Sequence, residues 1–114
     1  LLRGRQVQAL FNTTEVLVAA RDLINGRDIA VDTQLREVTY IHLLLSDHQV
    51  LWANGVETES FHPAQAALSA LRCEDRRRLL QVLPDLEVDP MRYGDFARRN
   101  LSQPEAAILR HAAA

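Results

Sequence analysis

Arg36 to Phe61 reads REVTYIHLLLSDHQVLWANGVETESF, and the way this stretch divides decides the fold. Three apolar runs, Val38 to Leu45, His48 to Ala53 and Val56 to Phe61, are separated by Ser46-Asp47 and Asn54-Gly55 and read as a three-strand meander. Asn54-Gly55 is the sharpest local signal. Both central residues of a type I′ turn need positive φ, which Gly adopts freely and Asn tolerates, so the pair predicts a two-residue hairpin. That register sets Ala53 opposite Val56, Trp52 opposite Glu57, Val50 opposite Glu59 and His48 opposite Phe61. In the first run Ile41, Leu43 and Leu45 share one face and Tyr40, His42 and Leu44 the other, which predicts a strand covered on both sides.

Upstream, Val7, Ala9 and Phe11 alternate within LLRGRQVQALF and predict a strand over residues 1–11. Asn12-Thr13-Thr14 is a turn cluster, and Glu15 to Val18 a second short strand. Ala20 to Ile24 predicts a turn of helix burying Leu23 and Ile24, ended by left-handed residues at Asn25-Gly26. Residues 30–35 form a polar connector. Asp22 reads as a solvated or capping carboxylate, with a catalytic role as the alternative.

Downstream, His62-Pro63 closes the sheet region and the period changes. Ala64, Ala67, Leu68 and Leu71 recur at helical spacing. Asp75 to Leu83 predicts an amphipathic helix ended by Pro84, led by Arg76, Arg77 and Arg78. The arginine triplet reads as a solvated helix face, or else as an anion patch. A short helix is expected around Tyr93 and Phe96 within residues 90–99. Ser102-Gln-Pro-Glu105 is a capping-box pattern and predicts a terminal helix over residues 105–113. The fold class is therefore α+β: antiparallel strands and hairpins over about 1–61, then a helical extension over 62–114 packed on them.

A chain of 114 residues with 47% hydrophobic and 25% charged side chains is one ordinary globular domain. A formal charge of -2 argues against a generic nucleic-acid binder. All 13 basic residues counted as Lys plus Arg are Arg, a pattern read as genomic base composition before function. The single Cys73 forms no internal disulfide; it reads as a half-buried helix residue, with a nucleophile as the alternative. No apolar run approaches the ~20 residues of a membrane span, so no membrane partner is expected. The four His are too scattered for metal-ligand spacing, and neither metal nor cofactor is expected.

The central stretch resembles the end of a Hint domain, the fold shared by inteins and the autoprocessing domain of hedgehog proteins, and more closely the bacterial Hint-like domains. Tyr40 takes the place of the family's Tyr, Asp47-His48 of the residues leading into its His-Asn-Phe, Asn54-Gly55 of its turn, and Glu59-Ser60 of its terminal pair. Ala20, Asp22, Leu23 and Gly26 match the family's Ala-x-Asp-Leu-x-x-Gly-Asp element. The departures are equally specific: Ser60 replaces the Asn whose cyclisation cleaves the chain, Ile41 replaces an Asp, and neither a Cys nor a Ser nucleophile stands at Leu1.

The resemblance implies the C-terminal portion of a Hint-like autoprocessing domain, of bacterial source and with a secreted parent left open. It also implies no catalytic competence without the family's nucleophile and Thr-x-x-His element. A non-catalytic scaffold or dimerisation module is the alternative. Candidate catalytic residues are His48, which otherwise reads as a solvated turn histidine, and His42, which otherwise reads as a satisfied core histidine. The partners implied are the domain's own N-terminal half or a second copy, giving a homodimer with Val38 to Leu45 at the uncovered edge.

Overall fold

The computed structural model describes residues 1–65 and 68–113. Three short strands build one sheet: β1 (Leu2–Arg3) pairs antiparallel with β2 (Glu15–Leu17), and β2 pairs in parallel with β5 (Arg99–Asn100). A separate hairpin joins β3 (Val50–Ala53) to β4 (Val56–Glu59). Among the described residues there are three α-helices, α1 (Arg5–Phe11), α2 (Cys73–Val82) and α3 (Gln103–Ala113). The class is α+β, with antiparallel strands in the N-terminal part and helices after them.

The hairpin follows from its turn. Asn54 and Gly55 sit at φ 52° and 77°, and the pairs Ala53–Val56, Trp52–Glu57, Leu51–Thr58 and Val50–Glu59 form as the type I′ geometry requires. The ladder stops there. Ser60 N–H still donates to the Gln49 carbonyl (2.8 Å), but Gln49 N–H turns to Ser60 Oγ (2.9 Å), and Phe61 N–H leaves the hairpin for the Leu43 carbonyl (2.8 Å). His48 and Phe61 therefore do not pair as expected.

Two further expectations are corrected. Only Leu2–Arg3 of the predicted first strand is strand; after Gly4 the chain turns into α1, and the spacing that matters is Val7 with Phe11 on one helical face, while Ala9 is exposed. Asn12, left-handed at φ 53°, ends the helix with its N–H on the Gln8 carbonyl. Val38 to Leu45 is not a strand, and it is not covered on two faces: Tyr40 is 82% and Ile41 79% exposed. Its backbone contacts within the described chain are the Leu43 bond to Phe61 and a bond from the Tyr93 hydroxyl to the Leu45 carbonyl (2.5 Å), too few to hold a ladder.

At the loop after the 3₁₀ turn Ala20–Leu23, Gly26 takes positive φ (75°), whereas Asn25 acts through its side chain. Asn25 Oδ1 accepts from the N–H groups of Arg27, Asp28 and Ile29. The capping box forms in both directions, Ser102 N–H to Glu105 Oε1 (3.0 Å) and Glu105 N–H to Ser102 Oγ (3.4 Å), and α3 starts at Gln103. Helix α2 ends before Pro84, which opens a 3₁₀ turn. A 3₁₀ turn covers Leu68–Ala70 and another Pro90–Tyr93, the latter in place of the longer helix predicted through Phe96; Ala67 lies outside the described residues.

Two small cores result. Val7, Val16, Leu101 and Leu109 form one, so α1 and α3 close over β2. Phe61, Leu79 and Leu86 form the other, with Leu68, Leu71, Leu83 and Tyr93 around them, so the stripe on the helical part seats on the foot of the hairpin. Arg3 bonds both Glu15 (3.1 Å) and Glu57 (2.7 Å), and Arg98 holds Glu15 from the other side (2.7 Å), tying sheet to hairpin.

Gly55→Val is expected to lower stability by about 1–2 kcal/mol, because a β-branched residue is strained at positive φ; an unchanged thermal midpoint would contradict the turn. Arg98 foremost, with Arg3, holds the Glu15 carboxyl below its usual 4.5 against the opposing effect of burial. A carboxylate lowered on folding stabilises above its unfolded value and loses that contribution as pH falls through the lowered one. Glu15→Gln is therefore expected to flatten the decline of the melting temperature below about pH 4.5, the ordinary value.

Candidate functional site

The foot of the hairpin holds the buried polar residues His48, Ser60 and His62. His48 follows the Ser46-Asp47 bend and turns inward, its side chain 0% exposed, rather than outward as a solvated turn histidine. Its Nδ1 accepts the Ala97 N–H (2.8 Å) and its Nε2 lies 2.9 Å from Glu59 Oε2. An imidazole nitrogen that accepts an amide N–H carries no proton, so the ring proton sits on Nε2 and is donated to the carboxylate. Gln65 faces both oxygens of Glu59, and its amide nitrogen, placed on that side by its partners, donates to each at 2.9 Å.

Behind His48 stands a second enclosed histidine. His62 accepts the Ala64 N–H on Nδ1 (3.1 Å) and donates from Nε2 to the Gly94 carbonyl (2.8 Å). Its ring stacks on Phe96 at 4.1 Å and meets Tyr93 and His48 edge-on at 5.1 and 5.2 Å. The two histidines thus pin residues 94–97 to the hairpin. Burial, then the Asp47 charge, raises the Tyr93 phenol above its usual value.

His42 is neither enclosed among leucines nor bonded to His48. It is exposed, 5.0 Å from the Phe61 ring, and lines a cleft of about 260 Å³ with Glu59, Ser60 and Phe61. On the other side, Glu59 lines a second cleft of about 310 Å³ with Asp22, Gln65 and Asn100. Glu59 and Gln65 therefore line both clefts. Ser60 is buried, its Oγ taken by Gln49 N–H. Cys73 is exposed at the start of α2 and lines neither cleft, and Arg76, Arg77 and Arg78 lie on an exposed face. Asn54, Gly55, Asn25 and Gly26 stand apart as turn residues. Among the described residues no three His, Cys, Asp or Glu side chains gather as a metal site.

Sequence reasoning passed over Glu59 as a partner of His48, although the signal was present. In the register that pairs Val50 with Glu59, His48 is the diagonal neighbour of Glu59 on the same face. Nothing local foretold Phe96 or Ala97, which lie in irregular chain. A family model described as the Hint domain matches residues 1–65. No curated protein and no solved structure matches the chain.

His48→Ala is expected to cost about 3 kcal/mol, because it leaves the Ala97 N–H and the Glu59 carboxylate short of a buried partner. The ring nitrogens provide a separate check. ¹⁵N spectra at neutral pH are expected to show both His48 and His62 protonated on Nε2, and a proton on Nδ1 of His48 would contradict the clamp.

Proposed function

Because the chain belongs to the Hint-domain family, we propose that it supplies the C-terminal portion of an autoprocessing domain and does not cleave a peptide bond by itself. In that chemistry a thiol or hydroxyl attacks the preceding carbonyl, the amide becomes a thioester or ester, and a second nucleophile resolves it. The observation that carries the reading is the state of His48. A histidine that relays protons needs one ring nitrogen facing the reacting group, whereas His48 spends Nε2 on Glu59 and Nδ1 on the Ala97 amide, inside the protein. It acts as a brace for the reacting region. His42, exposed in the adjoining cleft, is the histidine still open to a reacting group.

The exposed run from Val38 to Leu45 supports a missing partner. Eight successive residues, mostly apolar, find one backbone partner and one phenol within the described chain, although exposed apolar stretches with unpaired backbone are where chains associate. The partner is the remainder of the domain or, in its absence, a second copy. The same surface favours the second reading, a non-catalytic dimerisation module.

A reporter fused ahead of Leu1 is expected to keep its intact mass through incubation with thiol or hydroxylamine. Release of the reporter that disappears in His48→Ala would overturn the proposal. Sedimentation at micromolar concentration is expected to show a dimer that Ile41→Lys dissociates; a stable monomer would show that residues 38–45 need no cover.

A further inference from the structure

A third cleft, of about 410 Å³, opens between α1, α3 and the loop after the Ala20–Leu23 turn. Small-ligand sites run from roughly 300 to 1,000 Å³. Val7, Leu23, Ile29 and Leu109 give it an apolar lining, and Val7 and Leu109 belong to the first core. The loop is closed on itself: Asn25 Oδ1 accepts three N–H groups, and the Asn25 and Gly26 N–H groups both donate to the Ile29 carbonyl (3.0 and 3.2 Å). The wall that carries Leu23 and Ile29 is thereby formed without a ligand.

Every charged residue that lines this cleft is an arginine: Arg3, Arg5 and Arg110. Arg3 is matched by Glu15 and Glu57. Among the described residues neither Arg5 nor Arg110 has a carboxylate partner. Arg110 is nonetheless held in place. Its Nη1 donates to the carbonyls of Asp22 (3.3 Å) and Ile24 (3.2 Å), neutral acceptors that orient the guanidinium and leave its charge unmatched. The other edge, Nε–H with Nη2–H, has no acceptor among the described residues, and such an edge is the fork that takes a carboxylate in two parallel bonds. The acids of the loop, Asp22 and Asp28, do not line the cleft, and the Asp22 carboxylate lies toward Arg21 at 3.9 Å.

Two unmatched guanidiniums over an apolar lining select an anion carried on a hydrocarbon stem. We propose that this cleft binds an aliphatic carboxylate, either a short fatty acid or the last residue of a peptide ending in an apolar side chain. The carboxylate sits on the free edge of Arg110 with Arg5 beside it, and the stem lies along Leu23, Ile29 and Leu109. The site does not depend on the autoprocessing reading.

The test is an NMR titration of the full 114-residue chain at low ionic strength with hexanoate, N-acetyl-leucine, acetate, n-hexanol and n-hexylammonium in turn. Hexanoate or N-acetyl-leucine is expected to shift the Leu23, Ile29 and Leu109 amides saturably, and the tighter of the two names the source. Acetate lacks the stem, hexanol the charge, and hexylammonium has the wrong sign, so each is expected to leave these amides in place. Arg5→Gln and Arg110→Gln each remove one charge at an exposed position and are each expected to weaken binding by about fivefold. No saturable shift with either carboxylate, equal shifts with acetate, hexanol or hexylammonium, or undiminished affinity in either variant would overturn the proposal. Should Arg110→Gln fail to fold, the affinity of Arg5→Gln decides.

Discussion

One imidazole joins the two parts of this chain that have least regular structure between them. His48 Nε2 reaches the end of β4 through Glu59, and His48 Nδ1 reaches the Ala97 amide, so a single planar ring spans from the hairpin foot to the segment that leads into β5. Both bonds start from a ring that is itself fully enclosed, which is why each is worth more than a surface bond of the same length and why losing one exposes the other partner's desolvation cost. His62 repeats the device with Gly94 and Ala64, and Phe96 packs against both rings, which also meet each other edge-on. Remove this brace and the irregular chain from Gly94 to Arg98 has little else to define its path.

The rest of the molecule is built from modest parts. Neither core is large, and each depends on residues from distant segments: Val7 and Val16 need Leu101 and Leu109, and Phe61 needs Leu79 and Leu86. The guanidinium of Arg3 sits between Glu15 and Glu57, which raises its own proton affinity and lowers that of Glu15. Exposed ion pairs contribute little singly. Here they form a connected set, and they bridge two sheets that share no strand.

What the sequence made legible is whatever a few adjacent residues decide. Asn54-Gly55 specified the hairpin and its register, Ser102 with Glu105 specified the start of α3, and Pro84 specified the end of α2, because in each case the backbone groups involved lie within four residues of the side chains that satisfy them. The first helix was misread since Val7 and Phe11 fit a period of two as well as a helical turn, and the alternation through Ala9 carried no weight in the end. Val38 to Leu45 failed as a strand for a different reason: strand character needs a neighbour, and periodicity says nothing about whether one is present. The site was half legible. His48 and His42 were singled out, but the bond from His48 to Glu59 depends on a diagonal contact, and the Ala97 clamp depends on chain with no pattern at all.

The parallel pairing of β2 with β5 sets an order of events during synthesis. Val16 cannot meet Arg99 until some eighty further residues have been made, and Leu101 and Leu109, which close the first core, follow later still. Closing so long a loop must precede the contacts that reward it, which slows assembly. The Asn54-Gly55 hairpin, whose partners are adjacent in sequence, is free to form on its own clock of microseconds. Between the emergence of Glu59 and that of Leu109 the nascent chain therefore carries a formed hairpin and an open first core, with Val38 to Leu45 in solution, and its exposure to aggregation or to a chaperone is set by how fast that interval is translated.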